Sequence, residues 1–286
     1  MQKTAELSRK ADALRALHRP GRPLVLVNAW DAASARIVER AGSPAVATTS
    51  AGIAFSAGLP DGQVITRERM LEAVACICDA VAVPVTADVE SAYGDSADEV
   101  RRTVGGVLEA GAVGMNLEDG TGRPETPLQD LAIQVEKIRT VVAEGRRLGV
   151  PLVLNARTDV FLDRVGPEAG RLEESVRRGT AYRDAGADCV FVPGITDPAV
   201  IGPLVERLAC PVNVLAAPGM PPLSELSRLG VARVSLGSGP MRAAMTLLER
   251  LAAEALTKGT FGGLEGILTH ATLNALMGER GAAPRR

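Results

Sequence analysis

Two acids stand two residues apart in PVTADVESAYGD, residues 84–95, where Asp88 and Glu90 follow the apolar opening Pro84-Val85-Thr86-Ala87. Side chains alternate along an extended strand, so both carboxylates are expected on one face. Burying like charges side by side costs several kcal/mol unless something neutralises them. The next two apolar runs repeat the pattern. GMNLED (114–119) alternates Asn116 and Glu118 with Met115 and Leu117, and VLNART (153–158) alternates Asn155 and Arg157 with Leu154 and Ala156. Three carboxylates and one guanidinium are therefore expected on one face of three neighbouring strands. Oxygen ligands without His or Cys suit a hard cation, Mg²⁺ or Mn²⁺, and not zinc. The competing reading is a buried Arg157–Glu118 ion pair, with Asp88 and Glu90 solvated at a loop.

Absences narrow the chemistry. The four lysines, Lys3, Lys10, Lys137 and Lys258, fall outside every strand pattern, so a Schiff-base mechanism has no nucleophile. His18 and His270 lie in terminal helical patterns and are read as structural. Cys76, Cys78, Cys189 and Cys210 show no zinc spacing and read as free thiols in a reducing cytoplasm. What remains is a metal and an arginine acting on an anionic, oxygen-rich substrate.

The elements that hold these residues follow a repeat. VERAGSPAVATTS, LEAGAVGMNLED, YRDAGADCVFVP and LSRLGVARVSLGS each end a helical pattern at a glycine and start a strand two or three residues later. Gly42, Gly111, Gly186 and Gly230 fit the left-handed position that terminates helices. Three more strands start at Pro84, Pro151 and Pro211, and PLVLVNAW (23–30) makes the eighth. Apolar strands separated by helices mean a parallel sheet covered on both faces. Eight such units in 286 residues predict one (β/α)8 barrel spanning 1–286, with an N-terminal helix over 1–20. An open doubly wound sheet fits less well, because no G-x-G-x-x-G follows the first strand. LGSGPM (236–241) offers glycine amides where a phosphate site or a simple tight turn would lie.

Composition excludes other classes. Hydrophobic residues make up 46%, charged residues 23%, and the net charge is −2, which argues against nucleic acid and anionic membranes as partners. No apolar run approaches the roughly 20 residues of a membrane span, and the N-terminus has no signal-peptide pattern. The expected location is cytoplasmic.

Four motifs in order resemble the isocitrate lyase/phosphoenolpyruvate mutase superfamily: GLPD (58–61), DVESAYG (88–94), NLED (116–119) and NARTD (155–159), preceded by NAWDAASARIVERAG (28–42). The resemblance implies that Asp88 binds Mg²⁺ directly, with Glu90 and Glu118 holding its waters. It places Asp61 in the same acidic, catalytic shell. Arg157 would clamp a substrate carboxylate, with Asn116 beside it. Thr49, Ser50, Ala51 and Gly52 would offer backbone N–H groups and a hydroxyl to that carboxylate. Family chemistry implies a metal-stabilised enolate and breakage of a C–C or P–C bond. It also implies a homodimer or homotetramer that exchanges C-terminal helices, here 260–280.

The chain departs from the family where the lyases carry K-[KR]-C-G-H and the phosphonate enzymes D-K-x-F-P-K. Its loop reads EDGTGRPETPLQD (118–130), in which Thr121, Arg123, Glu125 and Thr126 are the only side chains able to approach a substrate's reacting end, a plain flexible polar loop being the bland reading for all four. FVPGITDP (191–198) lacks the Glu of the methylisocitrate lyases and the His of the mutases. The leading expectation is a Mg²⁺-dependent lyase or decarboxylase of a small α-keto or 2-hydroxy carboxylate. A phosphonopyruvate-type mutase or hydrolase, and a keto-acid binding protein with little turnover, are the alternatives.

Overall fold

The computed structural model describes residues 2–278. Nine strand segments run parallel: β1 (Leu24–Leu26), β2 (Asn28–Ala29), β3 (Val46–Thr48), β4 (Val85–Asp88), β5 (Gly114–Glu118), β6 (Val153–Arg157), β7 (Cys189–Phe191), β8 (Val212–Leu215) and β9 (Arg233–Ser235). Their order is β1-β9-β8-β7-β6-β5-β4-β3-β2. Because β1 and β2 are successive pieces of one extended segment, the sheet returns on itself as a nearly closed (β/α)8-type barrel. The eight expected strands are thus present, with the first split at Val27.

Asn28 bridges that seam. Its Oδ1 accepts from the backbone N–H of Leu236 at 3.0 Å and Gly237 at 2.8 Å, and its Nδ2 donates to the Thr48 carbonyl at 2.7 Å. A side-chain amide, with a donor and an acceptor, replaces the ladder bonds where the backbone breaks register. The Leu236 and Gly237 amides are thus spent on Asn28, and the Gly239 N–H bonds the Leu236 carbonyl at 3.1 Å, as in a tight turn.

The helices are α1 (Gln2–Leu17), α2 (Ala32–Arg40), α3 (Ser50–Ser56), α4 (Arg67–Ala80), α5 (Ala97–Ala110), α6 (Leu131–Arg147), α7 (Glu168–Asp184), α8 (Pro198–Leu208), α9 (Leu223–Arg228), α10 (Gly239–Lys258) and α11 (His270–Gly278). Gly42, Gly111, Gly186 and Gly230 all take positive φ where α2, α5, α7 and α9 end. α1 closes the N-terminal end of the barrel by burying Leu7, Ala11 and Leu14. Leu14 inserts because β5 opens with glycine: a Cβ at Gly114 would meet Leu14 Cδ2 at 2.8 Å. His18 follows, buried, its Nδ1 2.9 Å from the Leu14 carbonyl; burial and then Arg233 lower its pKa to about 4, which suits a structural role.

The C-terminal segment differs from expectation. Residues 261–277 are not one helix but a short 3₁₀ turn (Gly262–Leu264), an irregular stretch and α11. Positions 279 and 280 of the expected exchange helix lie outside the described residues. Leu276 is buried, and its carbonyl accepts from Arg36 Nη1 on α2 at 2.8 Å, so α11 packs on its own chain. α10 buries only Met241 and leaves Leu247, Leu248 and Leu256 exposed, with Phe261, Ile267 and Leu268 beyond it. Among the described residues no helix is long and apolar enough to cross a membrane.

Leu14→Ala should cost about 2–5 kcal/mol, because the emptied stopper cannot collapse against rigid strands. Urea unfolding measures it, and a loss under 1 kcal/mol would show that α1 is not part of the core.

Candidate active site

The polar strand residues meet at the C-terminal mouth of the barrel, where a cavity of about 230 Å³ opens. In-register parallel pairing places Asp88, Asn116 and Asn155 side by side on β4, β5 and β6. They bond across the strands: Asn155 Nδ2 donates to Asn116 Oδ1 at 2.7 Å, and Asn116 Nδ2 to Asp88 Oδ1 at 3.3 Å. The other Asp88 oxygen accepts from the Ser50 N–H at 3.0 Å and the Ser50 hydroxyl at 2.8 Å. The Asp88 carboxylate is thus fixed before any ligand arrives.

Register also sets Glu118 opposite Arg157. Arg157 Nη1 lies 2.6 Å from Glu118 Oε2, and Nε donates to Asp159 Oδ1 at 2.6 Å. Phe191 covers one face of the guanidinium, 5.8 Å from its ring centroid. Burial opposes the charge on Arg157, but Glu118 and Asp159 overcome it and hold the group protonated above its usual range. Burial pushes Glu118 well above the ordinary carboxylate range despite Arg157, and lifts Asp159 to about 6. The ion pair read as the competing explanation is therefore present, and its Arg157 lines the cavity wall with Asp88 and Asp61. Asp61, from the loop after α3, is raised by burial and by Asp88.

Three expectations need correction. Glu90 does not share a strand face with Asp88: β4 ends at Asp88, and Glu90 sits in a left-handed turn with φ 52°. It is nonetheless buried with Oε1 unpartnered, and burial, Asp88 and Asp61 raise its pKa to about 8. In 49–52 the polar groups face inward to the protein: Ser50 serves Asp88, and the Gly52 N–H bonds Thr49 Oγ1 at 3.3 Å. Gly52 is glycine for packing, since a Cβ would meet Thr49 Cγ2 at 2.6 Å; only Thr49, Ser50 and Ala51 reach the cavity wall. Thr121, Arg123, Glu125 and Thr126 do not line the cavity; Thr121 and Arg123 border a separate hollow beside Lys137. That loop folds on itself, with Thr121 N–H bonding the Pro127 carbonyl at 2.9 Å.

Among the described residues no three His, Cys, Asp or Glu side chains converge tightly enough to cage a metal by themselves. The site instead offers one fixed carboxylate, Asp88, with further acids behind and beside it. A family model for phosphoenolpyruvate phosphomutase matches residues 14–256. The chain belongs to that family. Within the isocitrate lyase/phosphoenolpyruvate mutase superfamily, its fold superposes on a crystal structure of a lyase/mutase-type protein from Burkholderia cenocepacia J2315 with a TM-score of 0.89. Identity to it is 40%, over 98% of each chain. The 2-methylisocitrate lyase of Escherichia coli K12 is 29% identical over 245 residues, covering 79% of this chain and 80% of the lyase. Oxaloacetate acetylhydrolase, solved with its product oxalate, superposes with a TM-score of 0.83 at 27% identity, covering 96% of this chain and 95% of that one.

The cavity wall of this family member also holds residues that strand reasoning missed. Arg242, in the first turn of α10, faces the cavity with Ser238 and Gly237. It stands one residue beyond LGSGPM, and helix starts after barrel strands face the mouth. Arg233 is buried inside the barrel below, its Nε donating to Ser235 Oγ at 3.0 Å, and burial lowers its pKa to about 10. Tyr93 has a buried, unpartnered hydroxyl whose pKa is raised by burial and by Glu90.

Glu90 generates a pH prediction. The folded protein holds this proton up to about pH 8, whereas the unfolded chain releases it near 4.5. The folded state therefore binds more protons across that window, and stability falls as pH rises through it. Thermal unfolding without added metal should drop between pH 5 and pH 8, and Glu90→Gln should flatten the drop. An equal slope in the variant would locate the proton elsewhere.

Proposed function

We propose that the protein is a Mg²⁺-dependent carbon–carbon lyase or decarboxylase of a small α-keto or 2-hydroxy carboxylate. One observation carries this reading: a single cavity of about 230 Å³ has Asp61 and Asp88 in its wall together with Arg157 and Arg242. Acids in a cavity wall call for a cation, and guanidiniums there call for carboxylates. The volume is below the usual range for drug-sized ligands and suits a small acid.

The donor set fits Mg²⁺. Asp88 would hold the ion directly, and Glu90 and Glu118 would bond its waters, which agrees with the unpartnered Glu90 Oε1. Mn²⁺ meets the same oxygen donors. Bound there, the ion would supply Lewis-acid stabilisation of charge developing on substrate oxygen. Arg157 would grip one carboxylate, bidentately where its fork allows, and Arg242 a second. Asn116 and Thr49 would orient the ligand from the wall. Asp61 is the acid assigned to proton transfer, since burial and Asp88 raise its pKa and it borders the cavity. Leu162, Phe191, Pro193 and Leu215 give the cavity an apolar side that excludes water.

The names of the relatives support bond cleavage in small acids: 2-methylisocitrate for one, and oxalate as the product of another. A P–C bond reading uses the same cation and arginine, and substrates decide between them. An NMR time course with oxaloacetate, methylisocitrate and phosphonopyruvate, with and without Mg²⁺, tests the proposal. No turnover of any of them, with tight oxalate binding retained, would leave a binding protein. Asp88→Ala should abolish calorimetric Mg²⁺ binding. Arg157→Lys should keep the fold and Mg²⁺ binding but lose about 2–4 kcal/mol of oxalate affinity, because lysine cannot form two parallel hydrogen bonds. Unchanged oxalate affinity would return Arg157 to a structural role.

The exposed apolar face of α10 and the segment after it is assigned to a second copy of the chain, giving a homodimer or homotetramer with or without helix exchange. The protein should sediment above monomer mass at micromolar concentration, and truncation after Gly259 should lower that mass or cause aggregation. A monomeric full-length chain would defeat the assignment.

A further inference from the structure

The hydrogen bonds behind Arg157 run well beyond the cavity. Asp159, which receives the Arg157 Nε–H, is fixed from two sides. Its backbone N–H donates to Asp119 Oδ1 at 2.9 Å. Its Oδ2 lies against Gly120, where a Cβ would approach it to 2.5 Å. Asp119 is fully buried, and its second oxygen accepts from the Tyr182 hydroxyl at 2.5 Å and from Arg178 Nη1 at 3.1 Å. Tyr182 and Arg178 stand four residues apart on α7, outside the cavity wall. Burial, and next Asp119, hold the Tyr182 hydroxyl well above its ordinary pKa, so it remains a donor at neutral pH.

A guanidinium on a long stem has five N–H groups and many orientations. Glu118 takes one side of Nη1 and Asp159 takes the Nε–H, which leaves the Nη1/Nη2 end as the free edge for a ligand. The direction of that edge depends on where Asp159 is held, and Asp159 is held by Asp119. We infer that Tyr182, acting through Asp119 and Asp159, is a positioning residue that sets the direction in which Arg157 presents its free edge to a carboxylate ligand. The inference rests on the proposed role of Arg157 as a carboxylate clamp. A clamp misdirected by a fraction of an ångström binds less well although its charge is intact.

Two variants test it in the full-length protein with Mg²⁺ and oxalate as probe. Tyr182→Phe removes one hydroxyl and keeps the ring. Gly120→Ala pushes on Asp159 from the other side, and the Gly120 backbone lies outside the left-handed region, so alanine meets only that contact. The Arg157 Nε–H resonance, assigned by its loss in Arg157→Lys, reports the Asp159 bond without any ligand. In both variants it should exchange faster with solvent, and oxalate Kd should rise about three- to tenfold. Adding Asp159→Asn to Tyr182→Phe should weaken oxalate binding little beyond Asp159→Asn alone, since both act on one bond. An unchanged Nε–H signal and unchanged oxalate affinity in both variants would overturn the positioning role while leaving the clamp intact. A wild-type protein that binds no oxalate would reject the clamp instead, and the ligand-free Nε–H signal would still decide whether Tyr182 directs Arg157.

Discussion

Desolvated negative charge is the constraint around which the barrel mouth is organised. Asp88, Glu90, Glu118 and Asp159 come together where water is largely excluded, with Asp61 at the exposed rim. Besides burial, the neighbouring acids raise the pKa of Asp61, Glu90 and Glu118, as Asp119 and Asp163 do that of Asp159. Each acid is handled differently. Asp88 is held by neutral donors, the Ser50 amide and hydroxyl and the Asn116 amide. Glu118 and Asp159 share Arg157. Glu90 has no cation beside it and keeps its proton to about pH 8. Asp88, which lines the cavity and has only neutral donors, is the charge left to be balanced by something from outside the chain.

Holding this arrangement strains the backbone. Glu90, Ala92 and Tyr93 all take positive φ within four residues, although none is glycine. Such conformations cost about 1–3 kcal/mol each and persist where surrounding contacts over-determine them. The Gln63 side chain supplies two of those contacts, donating to Ser91 Oγ at 2.7 Å and accepting the Tyr93 N–H at 3.2 Å. The turn places Glu90 behind the cavity wall and not in it. Asp88, at the strand end, is the acid left facing the cavity with Asp61.

The barrel was legible because its signals are local. A glycine ending a helix and a proline opening a strand are decided by neighbours in the chain, and Gly111 or Pro84 needs no tertiary context to act. Parity placed Asn116, Glu118 and Arg157 correctly because β5 and β6 stay regular to their ends. It failed at Glu90, where the strand had already stopped. The duty of Ser50 was not legible because it depends on the acid that ends the neighbouring strand, not on adjacent residues. Arg242 and Asp159 escaped for related reasons: one lies on a helix after the last strand, the other one step past the motif's arginine. The C-terminal stretch 261–277 read as one helix because its apolar content is helical on average, but Gly262, Gly263 and Gly266 interrupt it.

The two ends of the barrel divide stability from chemistry. The N-terminal end is stoppered by Leu14 and a neutral His18, and tolerates the buried Arg233 through a bond to Ser235. The C-terminal end spends its packing on fixing polar groups, from the Asn28 seam to the Asn155–Asn116–Asp88 ladder. In this chain the 118–130 loop closes on itself and none of its side chains lines the cavity. The wall is built instead from strand ends, helix starts and the turn residues Asp61, Leu162 and Pro193. Arg157 and Arg242 approach from β6 and from α10. Arg157 is held by Glu118 and Asp159 while Arg242 is exposed, so on the proposed reading the first sets the direction of a ligand carboxylate and the second adds charge at the rim.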